Sequence, residues 1–134
     1  MQKDTAIRVA KAIGTWVPTL LLAAIFIPQG LGKFSATSGW IRAFEHWGYP
    51  DWFRYAIGVI ELLGGLLLLW SRSAPVGAML IVMVMAGAMW THVWIDHRPK
   101  DVFHEAVPMT LALIVLTIRR AQLRALLHWR SRHD

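Results

Sequence analysis

The sequence predicts an all-α integral membrane protein, a bundle of four helices, and two observations carry that expectation. Four apolar runs, roughly 13–32, 53–70, 75–94 and 102–118, come close to the about 20 residues that an α-helix needs to cross a bilayer. Charged residues make up only 16% of the chain, and nearly all fall between or beyond those runs, because a charge in hydrocarbon is costly. With 134 residues, 56% hydrophobic content and a mean hydropathy of +0.45, the runs and their short loops make a single transmembrane domain over 1–134.

The net charge of +6 does not mark a nucleic-acid partner, since the basic residues are not gathered on a soluble domain. They describe a topology. Lys3, Arg8, Lys11, Arg72, Arg119, Arg120, Arg124, Arg130 and Arg132 lie on the side shared by the N-terminus, the second loop and the C-terminus. Lys33, Arg42, Arg54, Arg98 and Lys100 lie on the other, offset there by Glu45, Asp51, Asp96, Asp101 and Glu105. The positive-inside bias then puts both termini in the cytoplasm and the first and third loops outside. The chain has no cysteine, which excludes disulfides, thiolate metal sites and iron–sulfur ligation within it.

Taken in order, a short basic lead-in precedes the first run, which is long for a signal peptide and ends in Pro28-Gln29-Gly30-Leu31-Gly32-Lys33 with no A-x-A-like cleavage site. It is expected to be a retained span, bent at Pro18 and Pro28. The first loop holds Trp40, Phe44, Trp47, Tyr49 and Trp52, a density of aromatics that belongs at a membrane interface. Ser38 is placed to cap a short surface helix there, with Gly48 and Pro50 ending it. That helix is either an interfacial anchor or a lid over a flat ligand. In the second run Glu61 sits among Gly58, Gly64 and Gly65, about 12 Å of helical rise from Phe53; a carboxylate that deep must be neutral, paired or facing a wet cavity. A tight turn, 71–75, leads into the third run at Pro75. The fourth starts near Val102 with Asp101 as its N-cap and Glu105 in its first turn. The tail, 119–134, reads as a basic amphipathic helix drawn to anionic lipid headgroups.

The stretch 90–105, WTHVWIDHRPKDVFHE, carries three of the six histidines. Placing the runs antiparallel brings Gln29 and Lys33, Glu61, His92 with Asp96, and His104 with Glu105 to one half of the bundle, while 96–101 reads as the solvated turn between two helix ends. Glu61, His92, His104 and Glu105 are the proton-handling candidates, because histidine titrates near neutrality and buried carboxylates rise towards it. Gln29, Lys33, Glu61, His92, Trp47 and Trp90 are the candidates for binding a cofactor. His92, His104, Glu61 and Glu105 also make a scattered nitrogen/oxygen set for zinc or iron. Met85, Met89, His92 and Asp96 share a helical face that suits copper, and His92 with His104 could be the axial pair of a b-type haem. The alternative to all of these is a structural polar network.

The order of several short pieces resembles the DoxX family of small four-helix bacterial membrane proteins, over about 17–119. They are Gly30-Leu31-Gly32-Lys33-Phe34, Gly48-Tyr49-Pro50, the run Glu61 to Leu68, a histidine ending the third span and a glutamate opening the fourth. The resemblance implies an integral membrane protein of the four-helix type associated with redox processes, some relatives being subunits of a thiosulfate:quinone oxidoreductase, and the charge bias places it in a bacterial inner membrane. It extends to Lys33, Glu61, His92 and Glu105; His97 and His104 depart from the pattern. The leading reading is thus an accessory subunit of a redox system that binds a quinone-like ligand at an outward Glu/His cluster. A partner protein would supply electrons. The alternative is a non-enzymatic membrane scaffold or a metal- or metabolite-handling module, and transport would require a homo-oligomer.

Overall fold

The computed structural model describes residues 1–37 and 39–133; the expected Ser38 cap lies outside them. The described residues are almost entirely helical: α1 (Gln2–Gly32), α2 (Trp40–Trp47), α3 (Asp51–Leu67), α4 (Ala74–Trp90), α5 (Val102–Ile118) and α6 (Arg120–His133). A π-helical turn (Thr91–Ile95) and a 3-10 turn (Pro99–Asp101) lie between α4 and α5. The helical stretches Gln2–Gly32, Ala74–Ile95 and Pro99–Ile118 are long and apolar enough to cross a membrane.

Several boundaries differ from the sequence reading. The basic lead-in is part of α1, which runs on through Pro18 and Pro28; nothing in 2–12 breaks a helix, so the apolar run marks only part of it. The second run stops as helix at Leu67 rather than at 70, because the Ser73 hydroxyl donates to the Leu67 carbonyl at 2.7 Å and turns the chain back. At 17 residues α3 is shorter than α1 and than the continuous helical stretches Ala74–Ile95 and Pro99–Ile118, of 22 and 20 residues. Asp101 stands at the N-cap position of α5 but makes no capping bond with its side chain. The surface helix α2 is as expected, ended by Gly48 in the left-handed region at φ 80°, where glycine has no steric cost.

Helix α1 packs on α3 and α5, and α4 packs between α3 and α5. Leu22, Ala23 and Phe26 of α1 meet Ala78, Ile81 and Met85 of α4 and Ala112 and Val115 of α5 in the core. The opposite faces are apolar and exposed, with Val17, Leu20 and Leu21 on α1, Val59 and Leu63 on α3, Met79 and Met83 on α4, and Val107 and Ile114 on α5. A surface of that kind suits lipid rather than water. Close approach of the backbones comes from glycine. A Cβ on Gly30 would lie 2.6 Å from the Leu62 nitrogen, and one on Gly77 would lie 2.5 Å from the Gly64 carbonyl oxygen.

At the end of the bundle that carries both termini, Arg119 is buried. It donates through Nε to the Thr19 hydroxyl at 3.4 Å and through Nη1 to Ser71 and Gln122, and lies over the Trp16 ring. These contacts tie α1, the α3–α4 turn and the start of α6 together.

Candidate functional site

At the other end, the C-terminal end of α1 and the helix ends around α2 enclose a cavity of about 780 Å³. Lys33 follows the last residue of α1, and its ammonium reaches across to α3, where it donates to Glu61 Oε2 at 2.6 Å. Both side chains are only 3% exposed. The Lys33 ammonium also lies 3.7 Å from the centre of the Trp40 ring, so a carboxylate and an aromatic face replace its water. Arg54 fixes the base of this pair by donating to the Lys33 carbonyl. The sequence left Glu61 as neutral, paired or facing a cavity; it is paired and lines the cavity as well.

The second polar group belongs to the junction of α4 and α5. The π turn closes between the Asp96 amide and the Thr91 carbonyl, so Asp96 leaves the α-helical register of Met85 and His92, and of Met85 and Met89 only Met85 lines the cavity. π turns of this kind are frequent at functional sites. His92 Nε2 faces Glu105 Oε1 at 3.6 Å, and its Nδ1 faces Asp96 Oδ2 at 3.7 Å. Trp47 packs edge-on against the His92 ring at 5.6 Å. The Tyr49 hydroxyl and the Thr91 hydroxyl are 2.8 Å apart, and Thr91 passes its own proton to the Gly87 carbonyl, so the first loop is latched to the π turn.

Of the residues named from the sequence, Gln29, Lys33, Trp47, Glu61, Trp90, His92, His104 and Glu105 all line this one cavity. They do not form one cluster. Glu61 pairs with Lys33, whereas Glu105 faces His92, and neither set includes His104, which is exposed.

Trp40, Phe44 and Tyr49, which the sequence placed in a loop read as an anchor or a lid, line the cavity, as do Phe53 and Asp101, which it did not place at the site. The signal for the loop residues was the loop's aromatic density; Phe44, Trp47 and Tyr49 pack with Phe53 of α3. The sequence also marked 96–101 as solvated turn, but the Asp96 side chain is 6% exposed and accepts from His46 Nε2 at 2.9 Å. Desolvation works to raise the Asp96 carboxyl; the His46 hydrogen bond and the nearby Arg98 and His46 outweigh it and hold it below its ordinary value. Among the described residues, His92, Asp96 and Asp101 form a group whose ligand atoms all lie within 4.8 Å of one another.

The model of the DoxX-like family matches residues 17–118. The chain belongs to the DoxX-like family. The match begins in α1 and ends with α5, so Lys33, Glu61, His92 and Glu105 all lie within it. Membership together with the three long apolar helices makes this a membrane protein. Among DoxX-like relatives, the Bacillus subtilis (strain 168) protein named "Uncharacterized protein YdgD" is 32% identical over 98 residues, covering 70% of this chain and 83% of YdgD. "Putative oxidoreductase CatD" of the same organism is 33% identical over 79 residues, and the match covers 59% of each chain. No solved structure matches the chain.

Proposed function

We propose that this DoxX-like protein is an accessory membrane subunit of a redox system that binds a flat, apolar, quinone-like ligand in the cavity between α1, α3, α4 and α5. The observation that carries this reading is the wall of that cavity. It is mostly apolar and aromatic, with Trp40, Phe44, Trp47, Ile57, Ile60 and Val84, yet it holds both the Lys33–Glu61 pair and His92 beside Glu105. Sites for small apolar molecules have this character, with a few polar groups fixing orientation. Reduction of a quinone adds two electrons and two protons at its carbonyl oxygens. Lys33 can donate a hydrogen bond to one such oxygen and His92, through Nε2 beside Glu105, to the other, and the two protons enter from the outer aqueous phase past the exposed His104 on the cavity wall. The electrons come from a partner protein. The name of CatD agrees with this class of chemistry. A scaffold whose polar residues only hold each other would have no need of the cavity.

The reading includes a topology: α1, α3, α4 and α5 all span a bacterial inner membrane, with both termini cytoplasmic and the cavity end outside. The α3 helix, about 25 Å long at about 1.5 Å per residue, is at the short limit for a span. Because the chain has no cysteine, single introduced cysteines report sidedness. In intact cells, an impermeant maleimide is expected to label Ala36→Cys and Lys100→Cys and to leave Arg72→Cys unlabelled until the membrane is opened. Labelling of Ala36→Cys and Arg72→Cys from the same side would remove α3 from the membrane and overturn the topology.

Ligand binding is tested by titrating the detergent-purified protein with a short-chain ubiquinone analogue and following tryptophan fluorescence, since Trp40, Trp47 and Trp90 line the cavity. Saturable quenching is expected, weakened about tenfold or more by His92→Ala, the loss of one charge-assisted hydrogen bond of about 1.5–3 kcal/mol. Absence of saturable binding, together with normal quinone-linked electron transfer in membranes carrying His92→Ala, would sink the proposal.

A further inference from the structure

We propose that His92, Asp96 and Asp101 form a binding site for a divalent first-row metal ion, zinc above all, at the junction of α4 and α5. The site shares His92 and Asp101 with the cavity wall, but it uses the Nδ1 side of His92 and its test involves no quinone.

The first observation is an enclosed nitrogen without a partner. His92 Nδ1 is fully buried and makes no hydrogen bond among the described residues, a state that normally costs free energy. Its nearest acidic neighbour, Asp96 Oδ2, is 3.7 Å away, too far for a hydrogen bond. Such a gap is close to what two ligands of one cation require: with tetrahedral bonds of about 2.1 Å, ligand atoms stand about 3.4 Å apart. Asp101 completes the group, with one ligand atom from each residue inside the 4.8 Å limit.

The second observation is that the remaining atoms face acidic or hydrogen-bonding groups of their own. Asp96 Oδ1 accepts from His46 Nε2 at 2.9 Å and Trp47 also bonds this carboxylate; each carboxylate oxygen has a second lone pair, so Oδ2 can still meet a cation. On the far side of the imidazole, Nε2 faces Glu105 Oε1 at 3.6 Å. A metal-bound histidine commonly gives its second ring N–H to a carboxylate; Glu105 stands at ion-pair distance, a small closure away from that bond. Glu105 thus orients the ligand rather than binding the ion. One imidazole nitrogen and two carboxylates are a borderline-to-hard donor set, suited to zinc or manganese and poorly suited to copper(I).

The local fold explains why the three residues meet although their spacing follows no metal motif. The π turn carries Asp96 back beside His92, with the Asp96 amide donating to the Thr91 carbonyl at 2.9 Å. At His97 the backbone enters the left-handed region, φ 55°. The chain reverses there, and the 3-10 turn Pro99–Asp101 returns Asp101 to the group.

The experiment uses the full-length, tag-free protein in detergent, stripped with chelator and titrated with zinc alone by calorimetry, with metal content checked by mass spectrometry. One zinc per chain is expected. Asp101→Asn and His92→Ala are expected to weaken binding at least a hundredfold, and Glu105→Gln about 10–100-fold, whereas His104→Ala binds as the parent does. Asp96→Asn also loses the His46 bond, so Asp101, which carries no such bond, is the deciding position. No stoichiometric zinc, or parental affinity in Asp101→Asn, overturns the proposal; so does a loss of binding in His104→Ala equal to that in Asp101→Asn.

Discussion

Replacing Lys33 alone by methionine is expected to destabilise the protein by about 3–5 kcal/mol, the usual cost of leaving one partner of a buried ion pair uncompensated. The pair is enclosed on both sides, each side chain being 3% exposed, and Glu61 has no second cation within ion-pair distance among the described residues. Methionine keeps the apolar contact with Trp40 but gives Glu61 nothing to bond. The converse variant, Glu61→Gln, should be milder, because Gln can still accept from the ammonium and the Trp40 face remains over it at 3.7 Å. Joining Lys33→Met with Glu61→Leu removes both charges and should recover most of the loss, since an apolar pair of similar volume often replaces a buried ion pair without penalty. Reversible denaturation in mixed micelles, run as a double-mutant cycle, measures this coupling directly. The two charges matter differently for ligand binding. The double variant is expected to fold and yet to bind the quinone analogue poorly, which would separate the pair's functional role from its structural one. Equal stability of Lys33→Met and the parent would show that the pair is not a buried, coupled unit.

How far the sequence discloses this site depends on the kind of signal each residue carries. Lys33 and Glu61 are legible because charges at the end of, and inside, apolar runs need a reason, and mutual neutralisation is the simplest one. The start of α5 at Val102 is legible for a similar reason: hydropathy changes abruptly between the 96–101 turn and the apolar run. At the end of α3 the same signal misleads. Leu68, Leu69 and Trp70 continue the apolar run past the last helical residue, and only the Ser73 hydroxyl, bonding back to Leu67, shows where the helix stops. The π turn left no trace in periodicity, since a single inserted residue needs no proline or glycine to announce it. Its effect is large nonetheless. It moves Asp96 from a solvated turn to a side chain 6% exposed, and it converts a linear face from Met85 to Asp96 into a corner that gathers His92, Asp96 and Asp101. Hydropathy and spacing report where a helix lies in the membrane; they do not report which way its last turn is wound.

Gly30→Ala is expected to cost about 1–3 kcal/mol and to disturb the site as well as the fold, whereas Gly14→Ala and Gly87→Ala are expected to be neutral or to stabilise by up to about 1 kcal/mol. The contrast follows from what each new methyl group would meet. At Gly14 and Gly87 nothing lies within 4 Å, so alanine only improves helix propensity. At Gly30 the methyl would meet the Leu62 nitrogen at 2.6 Å and the Gly58 oxygen and Leu62 Cα at 2.9 Å, and these are backbone atoms that no side-chain rotation can move. The helices must separate. Gly77 is a parallel case on the other face of α3, with the Gly64 oxygen at 2.5 Å, but its crossing lies away from the Lys33 end. The Gly30 contact is one turn from Lys33 and directly beside Glu61, so α1 and α3 cannot part there without lengthening the 2.6 Å bond between the two. Gly30→Ala should accordingly lower both stability and quinone-analogue affinity, while Gly77→Ala lowers stability with a smaller effect on affinity. Denaturation midpoints and fluorescence titration of the four alanine variants test this together. If Gly30→Ala proves as stable as Gly14→Ala, the close crossing of α1 and α3 is not what holds the lysine against the carboxylate.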